Sequence, residues 1–397
     1  MRQPTAYPNC LLLLTLPILA AACGSRQPTQ PLPCEQSACA AQNQLIESIR
    51  IIQSEGARPR FAPSGTEFVF DRVNADGYAD LYVSDLNGTI LASLTDGKTG
   101  LPQRNNGNGV FHPSGRFVIF VSEAETHFAD QVKYLGDSGV GLFSNLWATN
   151  PDGSRFWMLT DTPIKQKLMD GVPAYAVVNP RFSRDGKLLI WTERYADDGS
   201  HNWGEWMIQG AEFIIENGTP RLENPRTLFV PTDGNFVTFM GELPSGEWIL
   251  AGNLDGQHEY GMDQYRYDPR SGALVNLQNT PELWEEDASV SPASRIVYMT
   301  NADSAFTFDF EDANWAAQPM EREYHVMDAD GGHKERLTYF NDPSAPEHLG
   351  HPVLTVASDF SPDGRYLAGT IGVDYGDGGR RDVVLTIILI TLREPWQ

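Results

Sequence analysis

Basic residues are scarce in this chain. Only 29 Lys and Arg stand against 52 Asp and Glu, for a formal net charge of -23. Such a surface repels phosphate backbones, which excludes nucleic acid as the natural partner and favours basic partners or divalent cations at local clusters. Cysteine is also scarce, at four in 397 residues. Cys34 and Cys39 have no His pair beside them, which argues against a zinc site. Of the eight histidines, only His348 and His351 lie close together in the sequence. No Gly-x-Ser-x-Gly elbow occurs anywhere, which argues against a propeller joined to a serine-hydrolase domain. Charged residues make up only 20%, while Gly (36) and Pro (27) are frequent and hydrophobic residues reach 41%. That mix suits many short strands joined by turns around a sizeable core.

The N-terminus reads as a targeting signal. Arg2 supplies a small positive region, and the apolar stretch from Cys10 to Ala21 is too short and too Pro-interrupted to span as a mature helix. The segment Ala20-Ala21-Ala22-Cys23-Gly24-Ser25 resembles a bacterial lipobox. The resemblance implies cleavage before Cys23 and acylation of its thiol and new amine. The family's commonest motif has Leu three residues before the Cys, where this chain has Ala20, with Leu19 one step earlier. An ordinary A-x-A cleavage leaving Cys23 free is the alternative. Gly24 and Ser25 after the Cys, rather than Asp, resemble sorting to the outer membrane. Residues 1–22 therefore read as a lipoprotein signal peptide, 23–43 as a lipidated Pro-rich tether, and 44–397 as the folded domain. In an oxidising envelope Cys34 and Cys39 either close a local disulfide or remain free thiols.

The decisive feature is an internal repeat. An aromatic or apolar residue, then Ser or Ala, Pro, a small polar residue and Gly recur in Phe61-Ala62-Pro63-Ser64-Gly65, Phe111-His112-Pro113-Ser114-Gly115 and Phe182-Ser183-Arg184-Asp185-Gly186. Leu243-Pro244-Ser245-Gly246 is a shortened copy, Val290-Ser291-Pro292-Ala293-Ser294 a degenerate one, and Phe360-Ser361-Pro362-Asp363-Gly364 the cleanest. Pro presets φ at the first turn position, and Gly accepts the positive φ a tight hairpin needs. A β-rich run follows each turn. In several repeats a third strand then ends in an acidic turn, as in Leu81-Tyr82-Val83-Ser84-Asp85-Leu86-Asn87-Gly88, and an outer strand ends at Leu-Thr: Leu94-Thr95, Leu159-Thr160 and Leu337-Thr338. Four antiparallel strands repeated at roughly 40–50 residues, with longer loops inserted, make a propeller blade.

The unit that reads here as Phe360-Ser361-Pro362-Asp363-Gly364, Tyr324-His325-Val326-Met327-Asp328-Ala329-Asp330-Gly331 and Arg336-Leu337-Thr338 resembles the repeat of TolB-like propellers, relatives of WD-type repeats. The resemblance implies an all-β fold, a six-bladed β-propeller of four-stranded antiparallel blades. The sixth unit stops without an outer strand of its own, and Leu45 to Gln53 alternates as a strand would. This N-terminal strand is expected to close the last blade and protect its edge.

Several loops carry candidate chemistry. Asn74, Asp76 and Asp80 sit in a stretch resembling part of a Ca²⁺ loop, although Arg72 occupies the first-ligand position; a polar hairpin is the alternative. Asp374 to Gly379 and Asp197 to Gly199 read the same way with less support. Gly136-Asp137-Ser138-Gly139 resembles the nucleophile motif of chymotrypsin-like proteases but lacks the His and Asp context. His348 and His351 fall just before the innermost strand of the sixth unit, at the channel mouth. Oligogalacturonate lyases are TolB-like propellers with a histidine-held metal there, which makes a carbohydrate-active enzyme with a metal site the alternative function. His201-Asn202-Trp203-Gly204-Glu205-Trp206 and the Phe306 to Trp315 insertion offer aromatics for a sugar or protein partner, or for packing between blades. The favoured expectation is a non-catalytic lipoprotein of the bacterial envelope, on the outer membrane and facing the periplasm or the cell surface. It carries no cofactor, is held to the membrane by its lipid anchor, and binds an envelope protein or polysaccharide. By resemblance, TolB docks the peptidoglycan-associated lipoprotein; this chain departs from the pattern in having its own anchor and no recognisable N-terminal α/β domain.

Overall fold

The hairpin turns show how the repeat works. In all six, the backbone N–H of the last motif residue donates to the carbonyl three positions earlier: Gly65 to Ala62, Gly115 to His112, Gly186 to Ser183, Gly246 to Leu243, Ser294 to Ser291 and Gly364 to Ser361, at 2.7–2.9 Å. The glycines sit at φ between +65° and +85°, and Ser294 of the degenerate copy takes the same left-handed conformation at 67°. The turn therefore survives where the motif has decayed.

The computed structural model describes residues 31–197, 204–232, 234–310, 318–376 and 382–397. The signal-peptide and lipobox readings, Cys23 included, lie outside the described residues. So do Asp198 and Gly199, His201 to Trp203, Asn314 and Trp315, and Asp377 to Gly379.

Each turn joins the first two strands of a four-stranded antiparallel sheet, and there are six such sheets. Blade one is β2 (Ala57–Phe61), β3 (Glu67–Val73), β4 (Ala79–Asp85) and β5 (Ile90–Ser93). Blade two is β6 (Asn106–Phe111), β7 (Val118–Glu123), β8 (Ser144–Thr149) and β9 (Phe156–Met158). Blade three is β10 (Ala176–Phe182), β11 (Leu188–Ala196), β12 (Glu205–Glu216) and β13 (Thr219–Phe229). Blade four is β14 (Val237–Glu242), β15 (Trp248–Gly252), β16 (Asp263–Tyr267) and β17 (Leu274–Asn276). Blade five is β18 (Glu286–Val290), β19 (Ile296–Thr300), β20 (Glu323–Met327) and β21 (Glu335–Arg336). Blade six is β22 (Val353–Phe360), β23 (Tyr366–Asp374) and β24 (Val383–Leu392), completed by β1 (Ile46–Gln53).

The N-terminal strand closes the ring as expected. β1 pairs antiparallel with β24, with Ile49 opposite Ile390 and Ile51 opposite Ile388. The chain before it is also held. Cys34 and Cys39 are bonded, Cys39 pairs with the outer side of Ile49, and Ile51 donates to the Cys34 carbonyl. The Gln42 N–H donates to the buried Glu347 carboxylate, and Asn43 Nδ2 donates to the Arg336 carbonyl. The N-terminal arm thus ties blade six to blade five.

The core is not central. Side chains alternate across each strand, so every blade has two apolar faces that must be covered by its neighbours. Six clusters fill the six clefts between blades. Val69 and Leu81 meet Phe111 and Phe120 between blades one and two, and Ile52 and Ile387 meet Phe68 and Phe70 where blade six meets blade one. The Leu-Thr signature serves this packing. Leu94 and Leu337 are fully buried in clefts, while the Thr behind each locks the third strand of its own blade. Thr95 Oγ1 accepts from Leu81 N (2.9 Å) and donates to Asp80 (2.6 Å). Thr160 does the same for Leu146 and Asn145, and Thr338 for Tyr324 and Glu323. Neighbouring blades touch at one recurring point. A Cβ on Gly88, Gly153 or Gly331 would lie 2.2–2.7 Å from the carbonyl oxygen of Ile52, Leu94 or Leu277 on the preceding blade. Ile52 takes the place of the repeat's leucine, so the closing strand reproduces the internal contact.

Blades four and five, weak in sequence, have complete outer halves in β16 and β17 and in β20 and β21, and blade three lengthens its own. β12 and β13 overrun β11 by four residues, and Phe213 stacks on His112 (4.9 Å between rings) to clasp blade two. Trp206, read from sequence as a loop residue, lies on β12 and is buried. The β-rich stretch it belongs to was masked by the neighbouring Gly and Asn residues.

Candidate functional site

All first-to-second and third-to-fourth strand connections lie on one face and are short. The second-to-third connections and the blade-to-blade connections lie on the other, and every insertion is there: 124–143, 159–175, 253–262, 301–322 and 337–352. Among the described residues, the loop candidates singled out in the sequence therefore map to this face, or to the axis beneath it.

The axis is lined by the first strand of each blade. All six carry a register shift just before the turn motif. These bulges aim the residue three before the motif's opening apolar residue at the centre: Arg58, Asn108, Asn179, Met240, Asp287 and Ala357. Four of them, Arg58, Asn108, Asn179 and Asp287, adopt φ of 51–54°. One turn nearer the short-turn face stand Arg60, Arg181, Ser289 and Asp359.

These side chains bridge the axis. Arg181 of blade three reaches Asp359 of blade six, on the opposite side of the ring, at 3.8 Å. Arg60 donates to the Ser358 carbonyl (2.8 Å), and the Ser289 and Ser358 hydroxyls meet at 2.8 Å. Asp359 also accepts from Phe61 N (2.8 Å). Burial, with Arg60 as a like neighbour, pulls the Arg181 guanidinium down to about 9. Burial likewise pushes the Asp359 and Asp287 carboxyls above their usual range, against the pull of the arginines. The six triplets ahead of the turns were in plain view in the sequence, but only the bulges reveal that their alternating residues face one another.

The loop-face end of the axis is covered. Arg58 donates to Asp71 (2.9 Å), to Ser138 Oγ (2.9 Å) and to Asp137 (3.2 Å), the last two from the insertion 124–143. Ser138 is fully buried and donates to Asp71 at 2.6 Å. The Gly-Asp-Ser-Gly serine is thus held between an arginine and an aspartate and is closed to solvent. The same insertion contains the single helical turn among the described residues, Lys133–Gly136. His127 anchors it through Glu123 (2.7 Å).

Other sequence candidates have defined surroundings. Asn74 donates to Asp80 (2.8 Å), Asp76 accepts from Tyr78 N (3.0 Å), and Asp80 belongs to the Thr latch, as Asn145 and Glu323 do in their blades. Burial raises the Asp80 carboxyl to about 6. Nδ1–H of His348 donates to the Phe340 carbonyl (2.7 Å), while the His351 ring packs 4.7 Å from Tyr375. Among the described residues no three His, Cys, Asp or Glu side chains form a metal-binding group. Phe308 and Phe310 of the aromatic insertion stack with His258, Tyr260 and Trp284, and Arg322 lies 4.0 Å over Trp284. An open space lies on the rim between blades two and three. It is a groove of ≈ 500 Å³ lined by Thr160, Thr162, Glu193, Gln209, Arg226 and Thr227. Nothing in the spacing of these residues along the chain pointed to it.

Fold and site together define a six-bladed β-propeller with a bridged, charged axis, one elaborated face and a polar rim groove. No protein-family model matches the chain, and no curated protein matches it. Among solved structures it is similar to TolB from Acinetobacter baumannii, at 14% identity and a TM-score of 0.45 over 86% of this chain and 63% of that one. It is similar to the putative TolB from Agrobacterium tumefaciens, at 14% and 0.47 over 88% and 99%. A puromycin-hydrolyzing peptidase of Mycobacterium tuberculosis is similar at 12% and 0.47, over 87% of this chain and 54% of that one. At this level the likeness speaks to the fold alone, and the fold rests on the strand pairing. The chain spans less than two thirds of the A. baumannii TolB and of the peptidase. Among the described residues no helix is long and apolar enough to cross a membrane.

Proposed function

We propose that the protein is a non-catalytic, lipid-anchored scaffold of the bacterial envelope that holds a protein or polysaccharide partner on its exterior. The observation that carries this reading is the state of the axis. Where a propeller enzyme needs an open mouth, this chain spans its centre with Arg181 and Asp359 and covers one end of it with an insertion whose Ser138 is buried against Arg58 and Asp71. Chemistry-bearing side chains there are engaged with one another, which supports a rigid hub rather than a reacting site. The open polar groove between blades two and three suits a partner bound from outside.

Crosslinking in intact cells followed by pull-down tests the reading. A single envelope partner that is lost on Thr227→Arg, with the thermal melt unchanged, is the expected result. Stoichiometric metal in the purified protein that disappears with His348→Ala or His351→Ala, together with cleavage of an acidic polysaccharide, would replace the scaffold with the carbohydrate-active alternative.

A further inference from the structure

We infer that the loop-bearing face lies against the bilayer that carries the N-terminal anchor, with Leu168 and Met169 as the lipid-contacting tip. The inference rests on the lipid-anchored reading above and gives it an orientation.

Three observations converge. First, exposed large apolar side chains are distributed by face. Among the described residues Tyr134, Leu168, Met169, Val230 and Phe306 lie in connections of the loop-bearing face and Val73 ends β3 beside them; the others lie on the outer strands β5, β9 and β17, with Ile90 and Leu274 at the short-turn ends of theirs, and no short-turn connection carries one. An acidic protein that keeps the connections of one face free of such residues and studs those of the other with them presents the second to something apolar.

Second, the most exposed pair sits on a built tip. Met169 is 90% exposed and Leu168 56%. The Asp170 carboxylate accepts from the N–H groups of Gln166 and Lys167 (2.7 and 3.0 Å), which folds a tight turn under them. The turn is braced on the insertion 124–143, where Phe128 N donates to the Lys165 carbonyl and Gln166 Nε2 to the Thr126 carbonyl. Lys165 and Lys167 flank the tip, placing cations at the height of lipid phosphates once the two apolar side chains enter the headgroup layer.

Third, the chain leaves the propeller on this side. Cys39 pairs antiparallel with Ile49 and Ile51 donates to the Cys34 carbonyl, so the chain traced back from Cys39 runs towards the Gln53 end of β1, which is the loop-face end of blade six. From Pro31 back to Cys23 is eight residues, at most about 29 Å fully extended. Turning the short-turn face to the membrane would require the same residues to run the height of a blade as well, roughly 26 Å for eight residues of strand. With the anchor no more than about 29 Å of chain from this face, the bilayer is the apolar surface that its exposed side chains meet. The rim groove then opens beside the membrane, and the short-turn face points away from it.

The test uses the lipidated full chain in phosphatidylethanolamine–phosphatidylglycerol vesicles. Met169→Cys and, on the short-turn face, Ser245→Cys each carry an environment-sensitive fluorophore. The expected result is blue-shifted emission quenched by doxyl-labelled lipid at position 169 and neither effect at 245. Quenching at 245 instead, or at neither position while the protein floats with the vesicles, overturns the orientation alone. A label at 169 that shifts only when envelope proteins are added gives this face to a protein and also overturns it. Failure of the chain to float with vesicles removes the anchor, and the orientation with it.

Discussion

Ile49→Ala tests whether the ring depends on a strand whose partner lies at the far end of the chain. Ile49 is fully buried in the cleft between blades five and six, opposite Ile390 on one side and bridged to Cys39 on the other. Cutting a buried Ile to Ala removes three carbons and leaves a cavity, typically costing about 2–5 kcal/mol. For a domain of this size that corresponds to a fall in Tm of roughly 3–7 °C. The loss should appear in a single transition, because opening β1 bares the edge of β24 and the faces of two blades together. Thermal melts of the purified protein, followed by circular dichroism and by tryptophan fluorescence, read both features. Ile90→Ala, on the exposed outer strand of blade one, is the control and should stay within about 0.5 kcal/mol of the parent. Should the Ile49 variant melt like the Ile90 control, or lose β1 in a separate early step, closure by the N-terminal strand would not be what holds the ring.

Gly88→Ala and Gly246→Ala separate a contact from a conformation, since both residues sit at φ near +86° but only Gly88 faces a carbonyl, that of Ile52 at 2.2 Å. Both should lose about 1–2 kcal/mol for the left-handed backbone, and Gly88→Ala a further 1–3 kcal/mol for overpacking; equal losses in urea titrations would contradict the shared blade contact. Arg58→Met should cost about 3–5 kcal/mol by stranding buried Asp71, and should speed hydrogen exchange across 133–143, whose Asp137 and Ser138 it releases. Protection of that segment unchanged from the parent would mean the insertion does not depend on the axis. Burial raises the Glu285 carboxyl to about 7 from 4.5. The folded state therefore keeps a proton that the unfolded chain has already released, and stability contributed below pH 4.5 is lost as pH climbs through 7. Glu285→Gln should remove up to about 3 kcal/mol of that decline between pH 4.5 and 8; identical pH–Tm profiles for variant and parent would contradict it.

Much of the architecture could be read from local signals because the physics there is local. A Pro or Gly turn needs only five residues, and a period-two strand needs six. This is why five clear turns and one degenerate copy were enough to count the blades, and why Ser294 still turns where Gly is missing. The Leu-Thr endings were visible too, but not their purpose, since Thr95 and Asp80 are fifteen residues apart and meet only across two strands. For the same reason Asp80 and Asn74 read along the chain as part of a cation loop or as a polar hairpin, while only across the sheet does Asp80 show itself to be one member of a latch repeated in other blades.

By itself the sequence determined the strand count per repeat, the number of repeats and the need for an outside strand to finish the last one. Each of those follows from contacts between residues close along the chain or from an edge left without hydrogen bonds. Only the tertiary structure decided what the centre contains. Arg58, Arg181, Asp287 and Asp359 come from four different blades, and each sits in a short run with no feature of its own. They become one buried charge network because six bulged strands converge on a single axis, a juxtaposition that depends on ring closure and on nothing written near any one of them.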